Sequence, residues 1–258
     1  MDAIVTAGGI TRPDEPLYPL CGAGYKSLLQ INGKPMVQWV LDAISASSRI
    51  ERVVVVGLPS GTPLQCRQPL VMLADQQDAV DNICAAVAHL VKDRSAEEKA
   101  LVISSDIPAV TAEMLAWLIE RAEESEHDLY YNVIRRSVME KRYPTSRRTY
   151  IRIKDGEFCG GDASVIRMKI ATHAHPLVKR LMLARKNPLR QAGLIGLDTM
   201  LLLLLRQLTL QELVRRVSRR LEIRGRALDC PFAELGMDVD KPFQLAIIQK
   251  DLEGSSAI

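Results

Sequence analysis

Asp2-Ala3-Ile4-Val5-Thr6-Ala7-Gly8-Gly9 runs a short apolar strand pattern straight into a pair of glycines. An apolar run of this length, closed by a turn signal, is what a strand buried on both faces of a parallel sheet looks like. Similar runs recur at Arg52–Gly57, Ala100–Ser104 and Asp128–Ile134, with a shorter one at Leu70–Leu73. Between them, Met36–Ser45, Asp78–Val91 and Ala112–Ser125 repeat apolar residues three and four apart, the helical period. Strands alternating with helices predict βαβ crossovers, a mainly parallel sheet and right-handed connections. The working residues of such a sheet stand in loops beyond the carboxyl ends of its strands, here after Thr6, Gly57 and Ser104.

Past Ile134 the pattern changes. Arg135, Arg136, Lys141, Arg142, Arg147, Arg148, Arg152 and Lys154 oppose only Glu140 within 135–154. This segment is expected to be a loop or hairpin projecting from the sheet. A strand near Ala163–Arg167 and a helical run to Leu221 follow, with Thr209-Leu210-Gln211-Glu212 spaced as a capping box. A last strand is expected at Leu221–Asp229, and Pro242 opens a closing helix to about Leu252. Trp39 and Trp117 fall within helix patterns and read as core; His173 and His175 read as a surface pair. No internal repeat or low-complexity linker divides the chain, so one domain over 1–258 is expected.

The 258 residues are 47% apolar, 25% charged and 4% aromatic. That excludes disordered, collagen-like and disulfide-scaffold classes. The net charge of +3 conceals a split. Residues 1–134 carry ten Lys/Arg against eighteen Asp/Glu, and 135–258 carry twenty-four against thirteen, balances of −8 and +11. An acidic half followed by a basic half suits a site where a metal meets a phosphorylated molecule, and also suits plain surface solvation. Cys21, Cys66, Cys84, Cys159 and Cys230 form no Cys-x-x-Cys pair, which argues against structural zinc and a secreted framework. With no signal-peptide pattern before the first strand, a cytoplasmic setting is expected. The most apolar window, Leu194–Leu205, is interrupted by Asp198 and too short to span a bilayer; it reads as a buried helix. The basic stretch Arg206–Arg226 suits an anionic lipid or a phosphorylated acceptor, a solvated helix face, or a dimer interface. Nucleic acid is not an expected partner, because few aromatics interleave with the charge.

Three segments carry chemistry. In Ala7-Gly8-Gly9, absent Cβ atoms let backbone N–H groups approach phosphates or a base; Arg12 follows, and Lys26 could neutralise phosphate. The stretch is neither a Walker A loop nor Gly-x-Gly-x-x-Gly, and a plain turn fits it as well. In Ser104-Ser105-Asp106-Ile107-Pro108, a carboxylate at a strand's end suits Mg²⁺, or organises a turn. Asp238 and Asp240 point the same way in extended chain; Asp240 could complete the cation site or cap the helix at Pro242. Gly160-Gly161-Asp162, outside these three, reads from its residues as a tight turn with a solvent-facing Asp.

Together, Ala7-Gly8-Gly9, Tyr25-Lys26, Ile31-Asn32-Gly33-Lys34-Pro35-Met36, Ser105-Asp106-Ile107-Pro108 and Asp238-Val239-Asp240-Lys241-Pro242 resemble the MobA-like nucleotidyltransferases, within the nucleotide-diphospho-sugar transferase superfamily. The resemblance spans residue 2 to about 250. It implies a GT-A-like, Rossmann-like α/β fold with a helical, basic C-terminal elaboration. It also implies Mg²⁺ as cofactor, a nucleoside triphosphate (NTP) as substrate, and transfer of a nucleotidyl group with loss of pyrophosphate. On this resemblance Ala7, Gly8 and Gly9 form the nucleotide loop, Lys26 stabilises phosphate, and Asp106 and Asp240 ligate the metal. Asp78, Asp81 and Asn82 fall where the family often places base or ribose contacts; Asp162 lies on the acceptor side, where Gly160 and Gly161 would admit an acceptor and Asp162 would touch it or the metal. Residues 1–134 would be the nucleotide-binding half and 135–258 the acceptor-side half, taking a small acidic acceptor. The long interval Pro13–Gly22 departs from the family's Arg-Met-Gly-like stretch and leaves the role of Arg12 open. Lys26, as a loop residue, is expected to add little to stability. A sugar transferase, or a non-catalytic nucleotide-binding or membrane-surface regulator, remains as an alternative, as does a homodimer.

Overall fold

Four successive valines, Val53–Val56, are buried on both faces, as a strand must be when helices cover both sides of a sheet. The computed structural model describes residues 1–172 and 196–254. Within them the strands are β1 (Asp2–Thr6), β2 (Gln30–Ile31), β3 (Lys34–Pro35), β4 (Val53–Val56), β5 (Leu70–Leu73), β6 (Lys99–Ser104), β7 (Leu129–Arg135), β8 (Ile151–Ile153), β9 (Gly156–Arg167) and β10 (Gly225–Cys230). The main sheet has the order β10-β7-β9-β6-β1-β4-β5, with β8 paired to β9; β2 and β3 form a separate ribbon. Strands β6, β1, β4 and β5 are mutually parallel, and β10 is parallel to β7. Strand β9 runs antiparallel to both β6 and β7.

Alternation along each strand sends side chains to opposite layers. Val5, Val53 and Val55 pack with the helices Met36–Ala46 and Ala112–Glu123, whereas Ile4, Val54 and Val56 pack with Ala79–Leu90. The mainly parallel sheet flanked by helices is therefore as the alternating pattern predicts, and the strand and helix limits in the first half fall within a few residues of expectation. Trp39 and Trp117 are partly buried against the larger core, Trp117 edge-to-face with Phe232.

The second half brings corrections. Arg136–Arg142 is a helix, and only the part after it is a hairpin, with Ile151 of β8 opposite Phe158 of β9. Gly160-Gly161-Asp162 is not a turn but the middle of β9. The glycines answer a crowding problem: a Cβ on Gly160 would stand 2.0 Å from the Tyr131 hydroxyl, and one on Gly161 1.5 Å from Asn132 Oδ1. The pairing of β7 with β9 slips register at that point, between Tyr131 and Val133. The last strand starts at Gly225, because the helix Leu210–Leu221, opened by the expected Thr209–Glu212 capping box, runs on to Leu221.

Leu197–Leu204 is helical but not buried: Leu197, Leu201, Leu204 and Leu205 are each more than half exposed. Among the described residues, Leu203 of that helix packs by Val133, Ile153 and Phe158, and Thr199 is buried. His173, His175 and Leu194 lie outside the described residues. No helix among the described residues is long and apolar enough to cross a membrane. Much of the positive charge of 135–154 is neutralised by distant acids: Arg135 pairs with Asp229, Arg136 with Glu157, Arg142 with Glu234 and Arg148 with Asp238. A charge count confined to the segment overstates its free positive charge.

Candidate active site

Three loops at the carboxyl ends of parallel strands meet at one point. Beyond β1, Ala7-Gly8-Gly9 is held against the loop after β4, where Gly57 has φ +110. A Cβ there would lie 2.2 Å from the Gly8 nitrogen and 2.3 Å from its Cα. Both the backbone conformation and the space admit only glycine. Gly57→Ala is therefore expected to cost about 2–4 kcal/mol of stability, read by chemical denaturation. The other side of the loop is walled by Asp75 and Asn82, whose side chains would lie 2.8 and 2.9 Å from a Cβ on Gly8. Buried Asn82 is locked: its amide donates to Asp75 Oδ1 at 2.9 Å, and its carbonyl accepts from the Gln76 N–H at 2.7 Å.

Lys26 reaches this point through a short 3₁₀ turn, Lys26–Leu28, fixed by a hydrogen bond of 2.8 Å from Ser27 Oγ to the Ala7 carbonyl. The long excursion before it is closed at its neck by Thr11, whose N–H and hydroxyl both donate to the Gly24 carbonyl, at 2.9 and 2.6 Å. That closure leaves Arg12 outside. It is largely exposed and donates to Glu15 at 3.2 Å, so the structure does not bring it to the site.

Asp106 stands beyond β6. The Ser105 N–H binds the Thr6 carbonyl at 3.0 Å, and the Val239 N–H binds the Asp106 carbonyl at 2.9 Å. The second of these bonds draws in the loop that carries Asp240. Lys26 Nζ then donates to Asp106 Oδ2 at 2.7 Å and to Asp240 Oδ1 at 2.5 Å. The side chains of Lys26, Asp106 and Asp240 are 23%, 16% and 54% exposed. The N-cap of helix Pro242–Glu253 is Lys241, with no side-chain cap bond, so the capping alternative for Asp240 fails. Asp238 does not share the partner of Asp240; it pairs with Arg148 and accepts from Gln244 at 3.5 Å.

Burial alone would lower the Lys26 pKa, but the charges of Asp106 and Asp240, and the bonds to them, raise it well above the ordinary lysine value. The ammonium is thus permanently charged. Asp162, on β9, completes the acidic group. Its Oδ2 is buried without a hydrogen bond among the described residues, with the Arg148 guanidinium 3.7 Å away. Burial, reinforced by the charge of Asp106, pushes its pKa up to about 7. A carboxyl raised in this way holds its proton in the folded state while the unfolded chain has released it. Stability therefore falls as pH rises from about 4 towards 7. Asp162→Asn, which keeps the neutral shape, is expected to melt several degrees higher than the parent at pH 8 and no higher at pH 4, by thermal denaturation.

Among the described residues no three His, Cys, Asp or Glu side chains form a complete metal cage. A Mg²⁺ ion does not require one, since it takes one or two carboxylates and completes its shell with phosphate oxygens and water. Asp106 and Asp240 supply such a pair, and Asp106 Oδ1 is buried with no hydrogen-bond partner among the described residues. The donor set fits the ion.

A family model for the MobA-like NTP transferase domain matches residues 3–222. The chain belongs to the MobA-like NTP transferase family. A hypothetical transferase from Thermus thermophilus is 35% identical, with a TM-score of 0.81 over 95% of this chain and 98% of that one. CMP:2-keto-3-deoxy-manno-octonic acid synthetase complexed with CTP is 14% identical, with a TM-score of 0.61 over 98% of each chain. 2-C-methyl-D-erythritol 4-phosphate cytidylyltransferase from Thermus thermophilus is 14% identical, with a TM-score of 0.53 over 97% of this chain and 98% of that one. At that identity the last two share the fold. No curated protein sequence matches the chain. As a MobA-like NTP transferase the protein is a nucleotidyltransferase, with the expected GT-A-like fold.

In this MobA-like transferase the structure gathers Ala7, Gly8, Gly9, Lys26, Asp106 and Asp240, places Asn82 against Gly8, and sets Asp162 beside the carboxylates. Asp81 is in the first turn of the Ala79–Leu90 helix, its N–H bonded to Asp78 at 2.9 Å. Asp75 and Arg148 were not singled out individually by sequence. Asp75 follows β5 as Asp106 follows β6, so the carboxyl-end rule could have found it. Arg148 was hidden within a basic segment, and only the fold reveals its acidic partners.

Proposed function

We propose that this nucleotidyltransferase moves a nucleoside monophosphate from an NTP to a small phosphorylated acceptor, with Mg²⁺ and at Lys26, Asp106 and Asp240. The observation that carries the reading is the Lys26 bridge between two carboxylates from different loops, directly beside the glycine loop after β1. An acceptor oxygen bonds to the α-phosphorus as the α-phosphorus to bridging-oxygen bond breaks. Pyrophosphate departs with that electron pair. Such a step needs positioning and charge neutralisation more than covalent chemistry.

Ala7, Gly8 and Gly9 would present backbone N–H groups to the nucleotide, with Asp75 and Asn82 holding that loop. Lys26 would exchange its carboxylate partners for the triphosphate, whose negative charge would in turn hold it cationic. Asp106 and Asp240 would hold Mg²⁺, which when bound supplies positive charge for the α-phosphoryl oxygen and the leaving pyrophosphate. Residues 1–134 would serve the nucleotide and 135–258, through Asp162 and Arg148, the acceptor. Calorimetry with each of four NTPs tests the core of this reading without an acceptor. At least one NTP should bind in a Mg²⁺-dependent manner; no binding by any of them overturns it.

A further inference from the structure

On the sheet face away from the larger core, β7, β8, β9 and β10 and the amphipathic helix Leu210–Leu221 line a half-open apolar cavity of about 320 Å³. Leu213, Val214 and Val217 line it from the helix, and Val133, Phe158 and Ala227 from the sheet. Apart from the Tyr131 hydroxyl, the polar side chains on its wall are turned to partners of their own. Ser218 Oγ accepts the Gly225 N–H at 3.1 Å, Arg226 donates to Ser125 Oγ at 3.0 Å and to Glu124 at 3.2 Å, and Cys159 Sγ faces the Ile134 carbonyl at 3.7 Å. Water needs two to four polar partners to settle in such a space, and this wall leaves it few. Concave, mostly apolar pockets of a few hundred Å³ are the usual form of a small-molecule site.

One end of the cavity adjoins the candidate active site. Tyr131 and Gly160 line it there. Arg148, which pairs with Asp238 and stands 3.7 Å from Asp162, also donates to the Gly160 carbonyl at 3.4 Å.

We propose that the cavity receives an apolar chain carried by the phosphorylated acceptor, whose head lies at Asp162 and Arg148. This rests on the transfer reading above for what the head does, but not for the cavity. An apolar cavity of about 150 Å³ accepts benzene, so roughly twice that volume accommodates a single chain of about eight to twelve carbons. The acceptor class is thus an alkyl or isoprenoid monophosphate.

Calorimetric titration of the full chain with methyl, butyl, octyl and decyl phosphate, without NTP, tests this. Each methylene entering the cavity should tighten binding by about fourfold until the space is full. Val217→Trp, which fills the cavity, should abolish the dependence on chain length, with Ala227→Leu as a smaller obstruction should Val217→Trp misfold. Mg²⁺-dependent NTP binding should be unchanged in both. Affinities that agree within twofold across the series, or a folded Val217→Trp that binds decyl phosphate like the parent, overturn the inference. Chain-length dependence without NTP binding would sink the transfer reading and leave the cavity assignment standing.

Discussion

Asp106→Ala should lower nucleotidyl transfer by roughly 10³-fold while leaving the melting temperature unchanged or slightly higher. Losing one preorganised charge contact in a transition state typically removes about 10²–10³ in rate. Asp106 would act twice, on the cation and on the lysine. Stability moves little or the other way, because Lys26 keeps Asp240 as a partner and the loss of Asp106 relieves its repulsion of Asp240 and Asp162. Asp240→Ala should follow with a rate loss nearer 10²-fold, since its carboxylate is more than half exposed. Steady-state pyrophosphate release and thermal melts, measured on the same preparations, separate the two effects. Near-parent turnover in both variants would remove these carboxylates from the reaction.

Lys26→Ala is the second large effect, and here the structure alters the sequence expectation. A loop lysine was expected to matter for phosphate and hardly at all for stability. Lys26 is instead mostly buried and is the shared partner of two carboxylates. Its removal should cost roughly 10²-fold or more in rate. It should also cost about 1–3 kcal/mol in stability, because Asp106 is left buried without its counter-charge. Lys26→Gln, which keeps a donor without the charge, should recover part of the stability and little of the rate. Denaturant titration and kcat read the two quantities independently. A Lys26→Ala protein as stable as the parent would mean that the ion bridge contributes nothing to the fold.

The first half of the fold was legible in sequence because its signals are local. Val53–Val56 can hardly be anything but an inner strand, and Thr111 and Asp78 cap the helices that follow two of the strands. The glycine loop, Lys26, Asp106 and Asp240 were legible as isolated segments, and the order of those segments suggested the family. Their junction was not, since it depends on the Ser27–Ala7 and Val239–Asp106 bonds across the chain. Gly160 and Gly161 misled because glycine signals both turns and close approach, and the side chains that crowd them, Tyr131 and Asn132, sit on another strand. The Leu197–Leu204 helix misled because hydrophobicity alone does not say how many faces find a partner. Arg12 was drawn outward by a loop neck at Thr11 that no spacing announces.

The most direct measurement is a crystal structure of the protein soaked with Mg²⁺ and an NTP analogue whose α–β bridge cannot be cleaved. The account predicts a cation bound by Asp106 and Asp240, with the triphosphate over Ala7–Gly9. Lys26 should have turned from the carboxylates to the phosphates, and the α-phosphorus should be open towards Asp162. A triphosphate bound elsewhere, or one seated at the loop with Lys26 still bridging Asp106 and Asp240 and no cation beside them, would contradict it.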